Sequence, residues 1–528
     1  GVDGEVVPAA DTVSFPLGLV RQAPDFKWRA LHVGGAIYGQ KGGLDLITTR
    51  HAILELPASY QKDFDLWCRR NRFGGETVLD GHRWYEIAPP EIYGESHPEI
   101  YALVDGKRDN AVRNGKHGNQ PCLSNPDVAD MMADYACAQF DADPGLDVCS
   151  IALNDGSAIC ECDACRRMLV EKNKDSYLDH VTNEFSKTGR RSLPLSNSDL
   201  VYKNANQAMA KVAERHPDKK LLILIYSSFR DAPRTEVLDS RVVGQFCVMG
   251  NSFWNNCIWE SEKQLLKDLA RKVPTLGIYE YYANGTWPET QRLFPELIAA
   301  SVAMYYDAGA RYFATQPTMG FAVNGLNFYV LGRLLWDRTS SVSHLIDDYC
   351  EKGFGAAAEQ VKRYFFEFAE RWKQTESATA LPDTPEARLA ITYLYPKSFL
   401  NARRRDLKEA AEAVKHDSHL KRRVAFLSKG LRYTERYCEA LRRTLEVYEA
   451  IPGSSEKGVS SAQRLKQAPG TKKNRMLAKK ALNAWDAYWN FVRKNMGTFV
   501  FGDFWVNYRP GVLGGSDPTI KALQHMAR

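Results

Sequence analysis

Asn154-Asp155-Gly156 closes an apolar run that begins at Val148, and three thiols follow at Cys160, Cys162 and Cys165. The pattern reads as a buried strand that stops on an amide and a carboxylate, with Gly156 turning the chain. A polar pair at the exit of an apolar strand is where parallel α/β enzymes place their chemistry. A second carboxylate, Glu280, stands among Tyr279, Tyr281 and Tyr282 at the end of another apolar run. Two carboxyl groups facing each other across a mouth suit glycoside hydrolysis. One protonates the leaving oxygen, and the other stabilises or attacks the anomeric centre. Burial among tyrosines would raise the pKa of Glu280, as a general acid requires. Each residue also has a structural reading. Asn-Asp-Gly is ordinary turn chemistry, and a strand-end glutamate also serves an ion pair.

The other strand ends supply a consistent set of side chains. His82 follows Asp80-Gly81, Asn251 and Trp254 follow Gly250, and Tyr282 and Trp287 follow Glu280. These ends carry no Lys, and Arg83 is their one Arg, which argues against a phosphate site. Aromatic faces stack on the C–H faces of a sugar, and amide, imidazole and carboxylate groups bond its hydroxyls. Asn154, His82, Asn251, Trp254, Tyr282 and Trp287 are therefore candidates for binding substrate.

Cys160-x-Cys162-x2-Cys165 has metal-ligand spacing with three thiols, and a tetrahedral structural zinc takes four ligands. Cys122 or Cys149 would supply the fourth. A local disulfide, or free buried thiols, is the competing reading. Such a zinc would be structural, and catalysis itself calls for no cofactor. The chain has 11 Cys, an odd number. The six remaining cysteines are scattered in apolar contexts and read as small buried hydrophobes. This is no disulfide scaffold.

Positioning these groups requires a regular frame. Apolar runs recur at Leu31–Tyr38, Glu76–His82, Ile100–Val104, Val148–Asn154, Leu221–Ser227, Val243–Asn251, Leu276–Tyr282 and Tyr312–Gln316. Helical patterns lie between them, as at Asn125–Gln139 and Asp199–Arg215. Strand–helix alternation over this length predicts a (β/α)8 TIM-like barrel across residues 25–352. A doubly wound sheet would carry a G-x-G-x-x-G turn after its first strand, and none is present. After Gly353 only helical spacing remains, which predicts an α-helical C-terminal domain over 353–528. Trp485, Trp489 and Trp505 read as core of that domain. Residues 1–24 read as a linker or the remnant of a preceding domain.

Composition narrows the class further. The chain has 528 residues with 44% hydrophobic and 25% charged content, ordinary for a globular protein. A formal charge of +6, with no stripe of basic and aromatic residues, gives no signal for nucleic acid. Basic residues cluster between Arg403 and Lys473 and read as solvated helix faces. No apolar run reaches the roughly 20 residues that span a bilayer. The chain opens at Gly1 without a signal peptide and reads as a processed or truncated chain, so localisation is not legible there.

Four blocks of sequence together resemble a known family. His97-Pro98-Glu99-Ile100-Tyr101-Ala102-Leu103-Val104-Asp105-Gly106-Lys107-Arg108 fits an HPE-x-(F/Y)-A-L-x-x-G-x-R signature. Cys122-Leu123-Ser124-Asn125-Pro126 follows, and then Asn154-Asp155-Gly156 with its trailing thiols. The last block is Gly325-Leu326-Asn327-Phe328-Tyr329 with Leu334-Leu335-Trp336-Asp337. Over roughly residues 26–375 they resemble the domain of unknown function that founded glycoside hydrolase family 163. The resemblance implies a secreted or periplasmic retaining endo-β-N-acetylglucosaminidase that cuts the chitobiose core of complex N-glycans. It implies catalysis through an oxazoline, formed when the substrate's 2-acetamido oxygen attacks the anomeric carbon. Asn154 or Asp155 would then hold the acetamide, with Asp155 or Glu280 as the acid. The chain departs from related acetamido-assisted enzymes in carrying Asn-Asp where a longer Glu usually serves as acid. The alternatives are a glycosidase of other specificity (α-glucuronidase-like or exo-acting) and a carbohydrate-binding barrel without catalysis.

Overall fold

A computed structural model describes residues 22–33, 36–37, 60–112, 119–156, 159–171, 195–248, 250, 256–282, 290–315, 320–373, 391–451, 470–495, 497–498, 500 and 518–527. Its main element is a nine-stranded sheet. The parallel strands are β1 (Trp28–Val33), β2 (Val78–Leu79), β3 (Val148–Ser150), β4 (Lys220–Ile225), β5 (Val242–Val248), β6 (Thr275–Glu280) and β7 (Tyr312–Thr315). They lie in the order β1-β7-β6-β5-β4-β3-β2. Two short strands, Ala36–Ile37 and Gly74–Gly75, pair antiparallel with β1. Gly75 has φ +123, and a Cβ there would strike the Lys27 carbonyl oxygen at 1.9 Å. Only glycine lets the chain cross β1 so closely.

The closed (β/α)8 barrel expected from the sequence does not form. Strand β2 pairs directly with β3, through Val78 with Val148 and Leu79 with Cys149. Among the described residues β2 does not pair with β1, so the sheet is an open, curled half-barrel. The run Ile100–Val104, expected as a third strand, divides into a 3-10 turn at Pro98–Ile100 and a short strand at Leu103–Val104. That strand pairs antiparallel with Lys107–Arg108. The cause is local. Asp105 and Gly106 take φ of 49° and 73°, the left-handed pair that a tight hairpin demands and Asp-Gly supplies. The hairpin folds the segment back on itself before it can join a parallel sheet.

The two faces of the sheet bury different sets. Trp28, Ala30, Val78, Val148, Ala152, Leu222, Leu224, Val243, Cys247, Tyr279, Tyr312 and Ala314 form a compact cluster supplied by the strands and their immediate ends, which is the concave face. The alternate positions, including Cys149, Ile151, Ile223, Ile225, Phe246, Val248, Ile278 and Phe313, join a larger cluster with the helices, on the convex face. Period two along each strand makes the partition.

Helices α1 (Tyr60–Arg70), α2 (Pro126–Ala142), α3 (Ser198–Arg215), α4 (Asn256–Ala270), α5 (Pro295–Asp307) and α6 (Phe321–Trp336) follow strands or strand-like runs. Past residue 353 the described segments are helical, as expected, and the long helix α7 (Ser418–Glu449) leads them. It packs on α6 at Gly430, where a Cβ would lie 2.6 Å from the Ala322 carbonyl oxygen. Buried Gln291 binds Thr434, Tyr364 and Tyr395 from the helical part. One hydrophobic cluster runs across the expected boundary at residue 353. Several basic residues of this part are paired: Arg403 with Glu367 and Asp406, Arg404 with Glu435, and Arg443 with Glu439 and Glu446. Trp485 and Trp489 pack with Tyr488 in the helical core, and Trp505 lies outside the described residues. No described helix is long and apolar enough to cross a membrane.

Candidate active site

The parallel strands all end at the same rim, and the exits of β2, β3 and β4 are laced together there. His82 bridges to Ala152, and the Ser150 hydroxyl donates to the Gly81 carbonyl at 2.7 Å. His82 Nδ1 bonds the Leu153 carbonyl, which assigns the ring proton to Nδ1. Its ring lies edge-on to Tyr226, with centroids 5.9 Å apart.

Asp155 is exposed on this rim. The Tyr226 hydroxyl donates to its Oδ1 at 3.1 Å and accepts from the Gly156 N–H at 3.1 Å. Burial, then the Asp155 charge, pushes the Tyr226 phenol well up. It therefore stays protonated and acts as a donor at neutral pH. Gly156 has φ +125, and that backbone turns its N–H toward the phenol. Aspartate, tyrosine and glycine thus form a small preset unit.

Asn154 serves this unit from behind and is buried. Its Oδ1 accepts from the Tyr85 N–H at 3.0 Å, and its Nδ2 donates to the Asn119 carbonyl at 2.6 Å. Gln120 Nε2 donates to the Asn154 carbonyl at 2.7 Å. The side chain expected to meet substrate instead joins three loops, so Asn154 is a positioning residue.

The two faces of β6 separate the other candidates. Tyr279 and Tyr281 lie with the concave cluster, and their rings are 5.1 Å apart. Glu280 and Tyr282 lie on the convex side. Glu280 is fully buried. Its Oε1 accepts from the Gly250 N–H at 2.6 Å and the Tyr281 N–H at 2.8 Å, and Tyr305 of α5 reaches its Oε2. Burial lifts its pKa to about 8, although these three donors pull it down. The raised pKa expected for Glu280 is present, but the carboxyl faces the helices and does not face Asp155. Tyr282 bonds Ser301 and stacks on Phe313 in the same layer, away from the rim. Asn251, Trp254 and Trp287 lie outside the described residues.

The structure adds a carboxyl to which the sequence assigned no role. Asp80 directly follows β2 and is buried. Its Oδ1 accepts from the Gly81 N–H at 2.6 Å, and its Oδ2 has no hydrogen-bond partner. Gln245 approaches from β5 without completing a bond to Oδ2, and the Gln245 Oε1 is itself unpartnered. Burial raises Asp80 to about 6, opposed by Gly81, Arg83 and Gln245. A position just before Gly-His at a strand end is the signal that could have found it.

Because the folded pKa of Asp80 is raised, the folded state holds its proton more tightly than the unfolded chain does. The associated stability is complete below about pH 4 and is lost as pH rises through about 6. The gap from 3.8 to about 6 corresponds to at most about 3 kcal/mol. Asp80→Asn keeps the Gly81 bond and offers a donor to Gln245 Oε1. We predict that it raises the unfolding temperature at pH 8 and leaves it unchanged at pH 4. Equal gains at both pH values would show that ionisation of Asp80 is not the cause.

Four thiols gather beside this rim. Cys122, Cys160, Cys162 and Cys165 place their sulfurs within 4.8 Å of one another. Of the two candidates for a fourth thiol, Cys122 fills the place. Cys149 points to the convex face, where burial raises its thiol to about 12.

A cleft of about 590 Å³ lies at the opposite rim. It is lined by Asp25, Arg72, Arg333, Asp337 and His344, near the start of β1. In parallel α/β sheets that rim carries stability and the other carries chemistry, so the cleft is not assigned to the active site.

A family model for a domain of unknown function, DUF4838, matches residues 1–366. Among solved structures, the chain is similar to a GH138 enzyme targeting pectin rhamnogalacturonan II. The TM-score is 0.46 at 11% identity, covering 96% of this chain and 67% of that one. It is also similar to a Flavobacterium johnsoniae chitobiase, with TM-score 0.33 at 13% identity, covering 84% and 75%. A search of curated protein sequences found no match.

Proposed function

Because this chain belongs to the DUF4838 family, whose function is unknown, its chemistry must be read from its own residues, and we propose that it is a glycoside hydrolase. The observation that carries the reading is the exposed Asp155 carboxylate at the strand-exit rim, held by Tyr226 and Gly156. The phenol's hydrogen bond fixes the direction in which the carboxylate faces. An ionised carboxylate fixed at a mouth can orient a substrate N–H or stabilise positive charge at an anomeric carbon.

The finer proposal is a retaining endo-β-N-acetylglucosaminidase, secreted or periplasmic, acting on the chitobiose core of N-glycans. In it the 2-acetamido oxygen attacks the anomeric carbon as a general acid protonates the leaving sugar oxygen. Asp155 accepts the acetamide N–H and balances the charge of the oxazolinium that forms. Water then opens that ring with retention. Asn154 and His82 position the rim, and Glu280 positions the exits of β5 and β6 through Gly250 and Tyr281.

An α-glucuronidase-like reading needs a cation to meet a sugar acid. Arg83 is held by Glu86 and by the Asp80 carbonyl, and Arg230 is paired with buried Glu262. Neither guanidinium is offered to the rim. The test is digestion of a defined glycoprotein panel with mass analysis of the products. Release of whole glycans that leaves one N-acetylglucosamine on the protein is expected. Stepwise loss of terminal sugars would overturn endo action, and binding without any cleavage would overturn the enzyme.

A further inference from the structure

We infer that Cys122, Cys160, Cys162 and Cys165 bind a structural zinc ion that ties the loop carrying Asp155 to the loop that braces it. The argument rests on sulfur geometry and is independent of the glycosidase reading. Cys122 Sγ lies 3.7 Å from Cys160 Sγ, 3.7 Å from Cys162 Sγ and 4.0 Å from Cys165 Sγ. A tetrahedron with Zn–S bonds of about 2.3 Å has sulfurs about 3.8 Å apart. A disulfide would bring two of them to about 2.05 Å, and the chain shows four free thiols instead. A compact set of four sulfurs selects zinc, or iron in the same geometry.

The surroundings suit thiolates. The Leu103 N–H donates to Cys160 Sγ at 3.2 Å, and the Arg108 guanidinium sits against Cys122. Both lie on the hairpin that replaces the expected third strand. Donors of this kind orient thiolate ligands and offset the negative charge of a four-thiolate centre. Three of the four thiols are buried.

The ligands bracket the rim. Cys122 follows Asn119 and Gln120, whose groups bond Asn154 and the Asp155 carbonyl. Cys160 lies five residues beyond Asp155. One ion therefore locks the loop before α2 to the loop after β3. Without it, four buried or half-buried thiols in contact would have to hold both loops alone.

The experiment is metal analysis of the full chain after desalting, combined with X-ray absorption at the zinc edge. About one zinc per chain, with four sulfur neighbours at about 2.3 Å, is expected. Cys162 is the least buried ligand, and Cys162→Ser should lower retained zinc at least tenfold. If that variant does not fold, the parent chain gives a second readout. Stripping zinc with a strong chelator should expose four further thiols to a colorimetric thiol reagent. Zinc retained unchanged in folded Cys162→Ser would overturn the site. So would disulfides among these cysteines by mass mapping, or stoichiometric iron with its visible absorbance.

Discussion

Asp155→Asn is expected to lower the proposed glycoside cleavage by about 10²–10³-fold while the unfolding temperature stays within a degree or two of the parent. The side chain is exposed, so the fold does not depend on burying it. The amide oxygen of Asn can still accept from Tyr226, which preserves the turn. What disappears is the negative charge at the rim, and a neutral amide cannot balance a developing oxazolinium or oxocarbenium ion. The loss should therefore fall on kcat, with KM changed far less. Tyr226→Phe removes one donor and leaves the charge, so its loss should be smaller. Unchanged cleavage in folded Asp155→Asn would remove this carboxylate from the mechanism.

Glu280 governs the second large effect, which falls on stability. Its pKa rises from 4.5 to about 8, first by burial and further by the charge of Glu262. The sign follows from the proton balance. The folded state keeps the Glu280 proton to higher pH than the unfolded chain. Stability from this group is complete below about pH 4.5 and drains away as pH rises through about 8. The full span corresponds to at most about 5 kcal/mol. At neutral pH the acid keeps its proton: Oε1 accepts from two backbone N–H groups, and Oε2 accepts from the Tyr305 hydroxyl. Glu280→Gln keeps the two backbone bonds through its amide oxygen, can donate its N–H to a rotated Tyr305 hydroxyl, and removes the titrating group. Melting measured from pH 5 to 9 should show the parent losing stability toward the alkaline end and the variant losing much less. Parallel curves for the two proteins would refute buried ionisation at this position.

Much of the frame was legible in the sequence. The apolar runs at Leu221, Val243, Leu276 and Tyr312 became β4 to β7 with small shifts at their ends, because each is dominated by aliphatic and aromatic residues and the single glycines Gly244 and Gly277 do not break the pattern. The run at Ile100 failed because Asp105-Gly106 carries a stronger local instruction than the strand pattern before it. Asp155 was legible as a polar strand exit, and its partner Tyr226 was visible as the end of another strand. The facing of Glu280 and Tyr282 was not legible. A strand buried on both faces is apolar throughout, so its sequence gives no parity by which to tell concave from convex. Asn154 misled for a related reason: an amide beside a reactive carboxylate looks alike whether it meets substrate or the backbone of a neighbouring loop. The fourth thiol was narrowed to two, and parity on β3 decided between them.

The order of the sheet also bears on how the chain assembles during synthesis. Strand β1 pairs in parallel with β7, Trp28 against Tyr312, across most of the length of the sheet domain. At about 5–20 residues per second, β1 waits on the order of tens of seconds for that partner to emerge from the ribosome. Through that interval its outer edge is covered only by the short antiparallel strands at Ala36–Ile37 and Gly74–Gly75. Those two small ribbons thus guard one edge of β1 from intermolecular pairing, while the edge that receives β7 stays unpaired until the last strand arrives.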